Sequence, residues 1–188
     1  PANCFNTFTG FHIASVTVDD QDRIEQASAV DSIKKLLRRI VENDDHYAYV
    51  VRYIAHMFKH WNTKPRVCIV FQSAMQGIGK GTLGLIITRM IGRMYCFKTS
   101  KTEAFLGQFN GLIHNKIFGI IDEVSVSRSD YEQWKNLISE STITIRNMHM
   151  SPIVTDCYMH YFNFLNQGKA VCTLEEKERR FFVTGSTS

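Results

Sequence analysis

Apolar residues recur along this chain in two rhythms, and the change of rhythm divides it. Between residues 28 and 42, Ala29, Ile33, Leu36, Leu37, Ile40 and Val41 fall on one face at helical spacing. Asn43-Asp44-Asp45 breaks that stripe and offers an N-cap for a second helix. The second stripe runs through Tyr47, Val50, Val51, Ile54, Ala55 and Phe58 to Trp61, and Asn62-Thr63-Lys64-Pro65 follows as a linker. Ahead of both, residues 3–18 carry Phe5, Phe8, Phe11, Ile13, Val16 and Val18 around Gly10, and read as an extended or irregular entry arm.

Beyond residue 65, short apolar runs alternate with helical stripes. A strand is predicted at 67–72 and a helix at 80–92. A short strand at 94–98 precedes a helix around 101–108. Asn110-Gly111 opens a turn, then a strand at 116–122 precedes a helix around 129–140. A strand–turn–strand covers 142–156, and another strand covers 158–165. This alternation predicts an α/β fold with a largely parallel sheet and helices on both faces. Ligands of such sheets sit at the carboxyl ends of the strands. The organisation expected is an N-terminal arm and helical subdomain over 1–64 and a core over 65–188.

Composition narrows the picture modestly. At 188 residues, 44% of them hydrophobic, the chain can bury a full core. No apolar run is long enough to cross a bilayer, so no membrane partner is expected, and no signal-peptide pattern opens the chain. It begins at Pro1, and is expected to be a fragment or processed product whose upstream sequence can carry another domain. Cys4, Cys68, Cys96, Cys157 and Cys172 are scattered without paired metal spacing and read as buried thiols in a reducing compartment. The net charge of +4 permits an anionic partner without demonstrating one. The basic run Lys34-Lys35-Leu36-Leu37-Arg38-Arg39 is expected to be a solvated helix face.

The chemistry concentrates where the strand at 67–72 meets Ala74-Met75-Gln76-Gly77-Ile78-Gly79-Lys80-Gly81-Thr82. A glycine-rich turn between strand and helix, ending in lysine, is a phosphate-binding loop in its structural setting. Glycines let backbone N–H groups converge, the helix N-terminus adds unpaired donors, and Lys80 adds a charge. Two positions depart from the usual pattern. Ala74 stands where glycine usually opens the loop, and Gly81 stands where a Ser or Thr usually binds Mg²⁺. Thr82 is left either to bind the metal or to contact the α-phosphate.

The segment 116–123 is an apolar strand ending in Asp122-Glu123, about forty residues after the loop. Asp122 suits a place in the water shell of Mg²⁺, and Glu123 suits polarising a water for attack on a γ-phosphate. The strand at 158–165 is tipped by Asn166, which can orient that water or contact the γ-phosphate; Asn163, inside the strand, is the weaker candidate. Near the C-terminus, Arg179 and Arg180 precede an apolar strand. One of them, Arg179 by preference, is a candidate finger for a neighbouring subunit's ATP.

These elements in this order resemble superfamily 3 helicases, most of all the primase–helicases of phages, plasmids and large DNA viruses. The matching pieces are Ala74–Thr82, Asp122-Glu123, the 142–156 segment, Asn166 and Arg179-Arg180-Phe181, with Asn3–Phe11 resembling the family's lead-in. The resemblance covers most of the chain. It implies an AAA+-like P-loop ATPase core using ATP and Mg²⁺, with Thr82 and Asp122 at the metal. It also implies a ring oligomer, a hexamer by family habit, with single-stranded DNA in its channel. A primase domain upstream and a host-cell cytoplasmic or nuclear location would fit that family. The family's hairpin presents a basic residue to DNA; here Arg146 and His149 stand in that region. Leu165 departs from the small hydroxyl residue that often precedes the asparagine.

Two other readings compete. Gly-Lys-Gly-Thr also looks like the loop of nucleoside-phosphate kinases of the adenylate kinase type. Those enzymes place the loop close to the N-terminus and follow it with an arginine-rich lid, whereas a long helical region precedes it here. The third reading is a nucleotide-gated assembly or DNA-binding module that binds ATP without turnover.

Overall fold

A computed structural model describes residues 10–12, 22–124, 126–166 and 178–186, without the side chains of 22–27. Most of the expected entry arm therefore lies outside the described residues; of it, Phe11 packs edge-on against Phe58 at 5.3 Å between ring centroids.

Two helices come first, α1 (Asp22–Ile40) and α2 (Asp44–Lys59). Asn43 caps α2 as expected: its side chain accepts a hydrogen bond from the His46 N–H at 3.0 Å. Helix α1 starts six residues earlier than its apolar stripe predicts. The strand β1 (Cys68–Ser73) then leads to α3 (Lys80–Ile91), β2 (Cys96–Thr99) and the short α4 (Glu103–Leu106). The chain continues through β3 (Phe118–Asp122), α5 (Arg128–Ser139), β4 (Thr142–Ile145), β5 (Ile153–Asp156), β6 (His160–Asn166) and β7 (Phe181–Ser186).

The molecule is a mixed α/β fold built on a five-stranded sheet in the order β2-β3-β6-β1-β7. Each neighbouring pair in this sheet is parallel. Strands covered on both faces must be apolar at nearly every position. β1 and β6 satisfy this, each burying all but one of its residues. Alternate residues serve different layers. Ile69, Phe71, Phe118, Ile120, Phe162 and Phe164 face a core shared with α1, α2 and α3. Val70, Ile121, Tyr161 and Leu165 face a second core with α5, centred on Trp134 and Phe105.

The central feature is the insertion of β6 between β1 and β3. In the register, Ser73 lies opposite Asn166, and Asp122 lies opposite Phe164. The ends of the loop strand, the amide strand and the acidic strand therefore share one edge. At the other edge, the Tyr53 hydroxyl donates to Val67 O at 2.8 Å and accepts from the Tyr161 N–H at 3.1 Å, tying the starts of β1 and β6 together. The Lys64 ammonium donates to Leu137 O (2.6 Å) and Glu140 O (2.5 Å), closing the C-terminus of α5.

The predicted strand–turn–strand is a separate antiparallel pair, β4 with β5, carried just before β6. Asn110 anchors it: its amide donates to Thr144 O (3.0 Å) and accepts from the Arg146 N–H (2.9 Å). No helix among the described residues is long and apolar enough to cross a membrane.

Helix α3 approaches the sheet closely because Gly84 has no side chain. A Cβ there would lie 2.8 Å from Ile120 Cδ1 and 3.1 Å from the Phe164 ring. Gly84→Val is expected to destabilise the fold by about 1–3 kcal/mol through overpacking. Urea denaturation checks this, and an unchanged midpoint would mean that the helix lifts off the sheet without cost.

Candidate functional site

The loop after β1 curls because two glycines take left-handed conformations, Gly77 at φ +79° and Gly79 at φ +107°. Gly79 is the N-cap of α3 and contributes no side-chain cap, so the N–H groups of the first turn are left to a ligand. Lys80, the first residue of the helix, turns back over the loop. Its ammonium donates to Ser73 Oγ (2.6 Å), Leu165 O (2.6 Å) and Asn166 Oδ1 (3.3 Å).

Asn166 links that cation to the acidic strand. Its Nδ2 donates to Glu123 Oε1 at 2.6 Å. Glu123 reaches it from a left-handed backbone, φ +57°, an uncommon conformation for a residue with a side chain. The Glu123 N–H donates to Phe164 O at 2.8 Å, which fixes the turn at the strand tip. Asp122 is paired with Lys98 of β2 at 2.6 Å. Partial burial pushes the Lys80 ammonium below its ordinary pKa, while the charges of Glu123 and Asp122 oppose that shift.

Between these groups lies an open cleft of about 360 Å³, lined by Gln76–Thr82, Asp122, Glu123, Phe164 and Asn166. Of the residues singled out in the sequence, Lys80, Gly81, Thr82, Asp122, Glu123 and Asn166 thus meet in one place. Ala74 lies outside it and borders a neighbouring groove against Glu42 and Ser186. Met75 is exposed. Asn163 is buried in β6, and its side chain makes no hydrogen bond among the described residues.

Arg179 and Arg180 stand elsewhere. They precede β7, whose first residue is level with Cys68 at the start of β1. They therefore occupy the opposite edge of the sheet from Lys80, a strand length of roughly 17–20 Å away. Neither reaches this chain's own cleft. Arg146 and His149 are exposed at the end of the β4–β5 pair, with His149 at φ +59°. Met148 and Met150 beside them are exposed too.

The basic run on α1 is exposed at Lys34, Lys35, Arg38 and Arg39, as expected of a solvated face, and it also touches the loop. Arg39 Nε donates to Ile78 O in the glycine-rich loop at 2.9 Å, and Leu36 packs against Gly79. Arg38 pairs with Asp44 and stacks over Tyr47, 3.6 Å from the ring centroid. The contact from α1 to the loop spans 39 positions in sequence, and nothing in the local pattern signals it. Ser73, Lys98 and Leu165 are the other contributors that motif spacing does not reveal.

Convergent backbone donors, one lysine and two carboxylates line a shallow cleft, a set that could hold an anion such as a phosphate group. Among the described residues no group of three or more His, Cys, Asp and Glu is arranged to hold a metal by protein ligands alone.

A family model matches residues 71–180, more than half of the chain. The chain belongs to DUF5906, a family of unknown function. The matched span runs from β1 through the loop, Asp122-Glu123 and Asn166 to Arg180, so the family's common part includes every group of the cleft. No curated protein matches this DUF5906 chain. Solved structures do. Apo structures of the NrS-1 C-terminal region match with TM-scores of 0.71 and 0.71, at 20% and 23% identity, each covering 81% of this chain and 37% of that chain. A third, at TM-score 0.69 and 20% identity, covers 81% and 36%. The DUF5906 chain thus spans little more than a third of the NrS-1 region's length. At such identities the likeness establishes the fold.

Proposed function

We propose that this DUF5906 chain is the ATP-hydrolysing, AAA+-like motor core of a DNA helicase of the superfamily 3 type, from the replication protein of a virus, phage or mobile element. The observation that carries the reading is the relay from Lys80 through the Asn166 amide to Glu123 at the mouth of a phosphate loop. A lysine on phosphate, an amide and a carboxylate base in contact form the set needed to hold a γ-phosphate and aim a water at it.

In this reading the loop N–H groups and Lys80 bind the β- and γ-phosphates. Thr82 and Asp122 would hold Mg²⁺, which when bound offsets phosphate charge. Glu123 takes a proton from the attacking water, and Asn166 keeps that carboxylate aligned with the phosphate. Arg179 acts on the ATP of a neighbouring subunit, because its own cleft lies at the opposite edge of the sheet. That requirement supports a ring oligomer. Arg146 and His149 would contact single-stranded DNA by its phosphates, beside exposed Met148 and Met150. The NrS-1 likeness supports the fold part of this reading, and an upstream primase domain in the whole protein would accord with it.

ATP turnover measured with and without oligothymidylate tests the proposal. The parent should hydrolyse ATP faster with the DNA, and Lys80→Ala should abolish both binding and turnover. Phosphoryl transfer from ATP to AMP with no DNA response would instead favour the kinase. ATP-dependent assembly with no phosphate release from intact rings would favour the non-hydrolysing module.

A further inference from the structure

The segment carrying the two arginines is held from both sides of Arg179. Glu178 is almost fully buried, its side chain 5% exposed. Its carboxylate accepts from the Arg180 N–H at 2.9 Å and from Arg180 Nη1 at 3.2 Å. Lys135 of α5, its side chain 10% exposed, lies 3.8 Å from the same carboxylate and 2.6 Å from Glu132. Arg180 Nε donates to Ser139 Oγ at 2.7 Å, and Arg180 O accepts from the Cys68 N–H at 2.8 Å. Arg180 is thus spent on this network. Arg179, between two anchored residues, is exposed.

A carboxylate so deep is expected only where charges answer it. Burial alone would raise the Glu178 pKa. The backbone and side-chain hydrogen bonds from Arg180, with the charges of Arg180 and Lys135, outweigh burial and lower it. The network's components come from α5 and from the start of β7, so it fixes the segment to the body of the domain. A flexible guanidinium is of little use across an interface unless its backbone is held, since small misplacements of a reacting group are expensive.

We propose that Glu178, Arg180, Lys135 and Ser139 form a brace that presents Arg179 to the nucleotide of the adjoining subunit, with Glu178 as the principal positioning residue. This rests on the reading of Arg179 as a residue acting across a subunit interface. The brace divides the labour between the two arginines: Arg180 is the internal tie, and Arg179 is the group delivered outward.

The division can be read by mixing subunits. Glu178→Gln leaves the Lys80–Asn166–Glu123 cleft intact, so ATP affinity should match the parent. Turnover of assembled rings should fall about a hundredfold. Mixed with Glu123→Gln subunits, whose Arg179 is intact, Glu178→Gln subunits should regain part of their activity. Mixed with Arg179→Ala subunits they should regain none, because neither partner supplies the arginine. Ser139→Ala removes only one acceptor of Arg180 and should show the same directional pattern with about a tenfold loss; it serves if Glu178→Gln does not fold. Restoration of Arg179→Ala by either brace variant, or turnover at the parent's rate, overturns the brace. If Arg179→Ala itself turns over normally, or is not restored by Glu123→Gln, the reading across the interface fails and the brace falls with it.

Discussion

Glu123→Gln is expected to lower ATP turnover about 10²–10⁴-fold while leaving nucleotide affinity close to the parent's, the range for loss of a positioned general base. Glutamine keeps the length of the side chain and an oxygen able to accept from Asn166 Nδ2, so the relay at 2.6 Å can persist. What it loses is the basicity that takes a proton from water. The left-handed backbone at φ +57° is no harder for glutamine than for glutamate, so stability should change little. Turnover under single-cycle conditions, with binding followed separately by a fluorescent nucleotide, separates the two effects. Retention of the parent's rate would mean that Glu123 is a structural partner of Asn166 and that the water is polarised by another group.

The second large effect lies at the start of β6, the strand that ends in Asn166. His160 is fully buried at the start of β6, with Nδ1 3.1 Å from Tyr158 O and Nε2 3.4 Å from His56 Nδ1. The Tyr53 ring stands edge-on to it at 5.5 Å. Burial, reinforced by the neighbouring His56, pushes its pKa down to about 3; the positive Lys64 acts in the same direction, against hydrogen bonding that raises it. In the unfolded chain the ring titrates near 6.5. Between those values the unfolded state binds a proton that the folded state refuses. The contribution is therefore complete above about pH 6.5 and declines by about 1.4 kcal/mol for each pH unit below it, until the folded pKa is reached. From pH 7 to pH 5 the loss should approach about 2 kcal/mol. His56, whose pKa is also lowered by burial and by His60, adds in the same sense. Urea midpoints for the parent and His160→Phe at both pH values check this. The variant should be less stable at pH 7, because Tyr158 O loses its donor, yet its pH slope should be flatter. Equal slopes would assign the acid sensitivity to other groups.

Much of this molecule can be read from its residues because its decisive segments are buried on both faces. β1, β3 and β6 are near-continuous apolar runs, and a run of that kind flanked by glycine or acidic residues has few other places to go. Their limits shift by only a residue or two from the pattern, since the ladder, not the side chains, decides where a strand stops. The loop was equally plain, being a local device. What the pattern does not carry is pairing. That β6 enters between β1 and β3, and so brings Asn166 against both Lys80 and Glu123, depends on contacts over 43 and 86 positions. Arg39 was hidden for a different reason: a basic helix run has the same composition whether it faces water or a loop carbonyl. Arg179 and Arg180 are alike in sequence, and only the buried Glu178 distinguishes them.

The place of β6 has a mechanical consequence. The strand is bonded along both flanks, so it resists stretching and bending more than an edge strand would. At its carboxyl end sits the amide that touches both the lysine and the acid. Just before its amino end stands the β4–β5 pair, whose foot is joined by the Cys157 N–H to Ser141 O at 2.7 Å. Laddered on both flanks, β6 thus joins the region of that pair to the amide by a single fixed span of backbone.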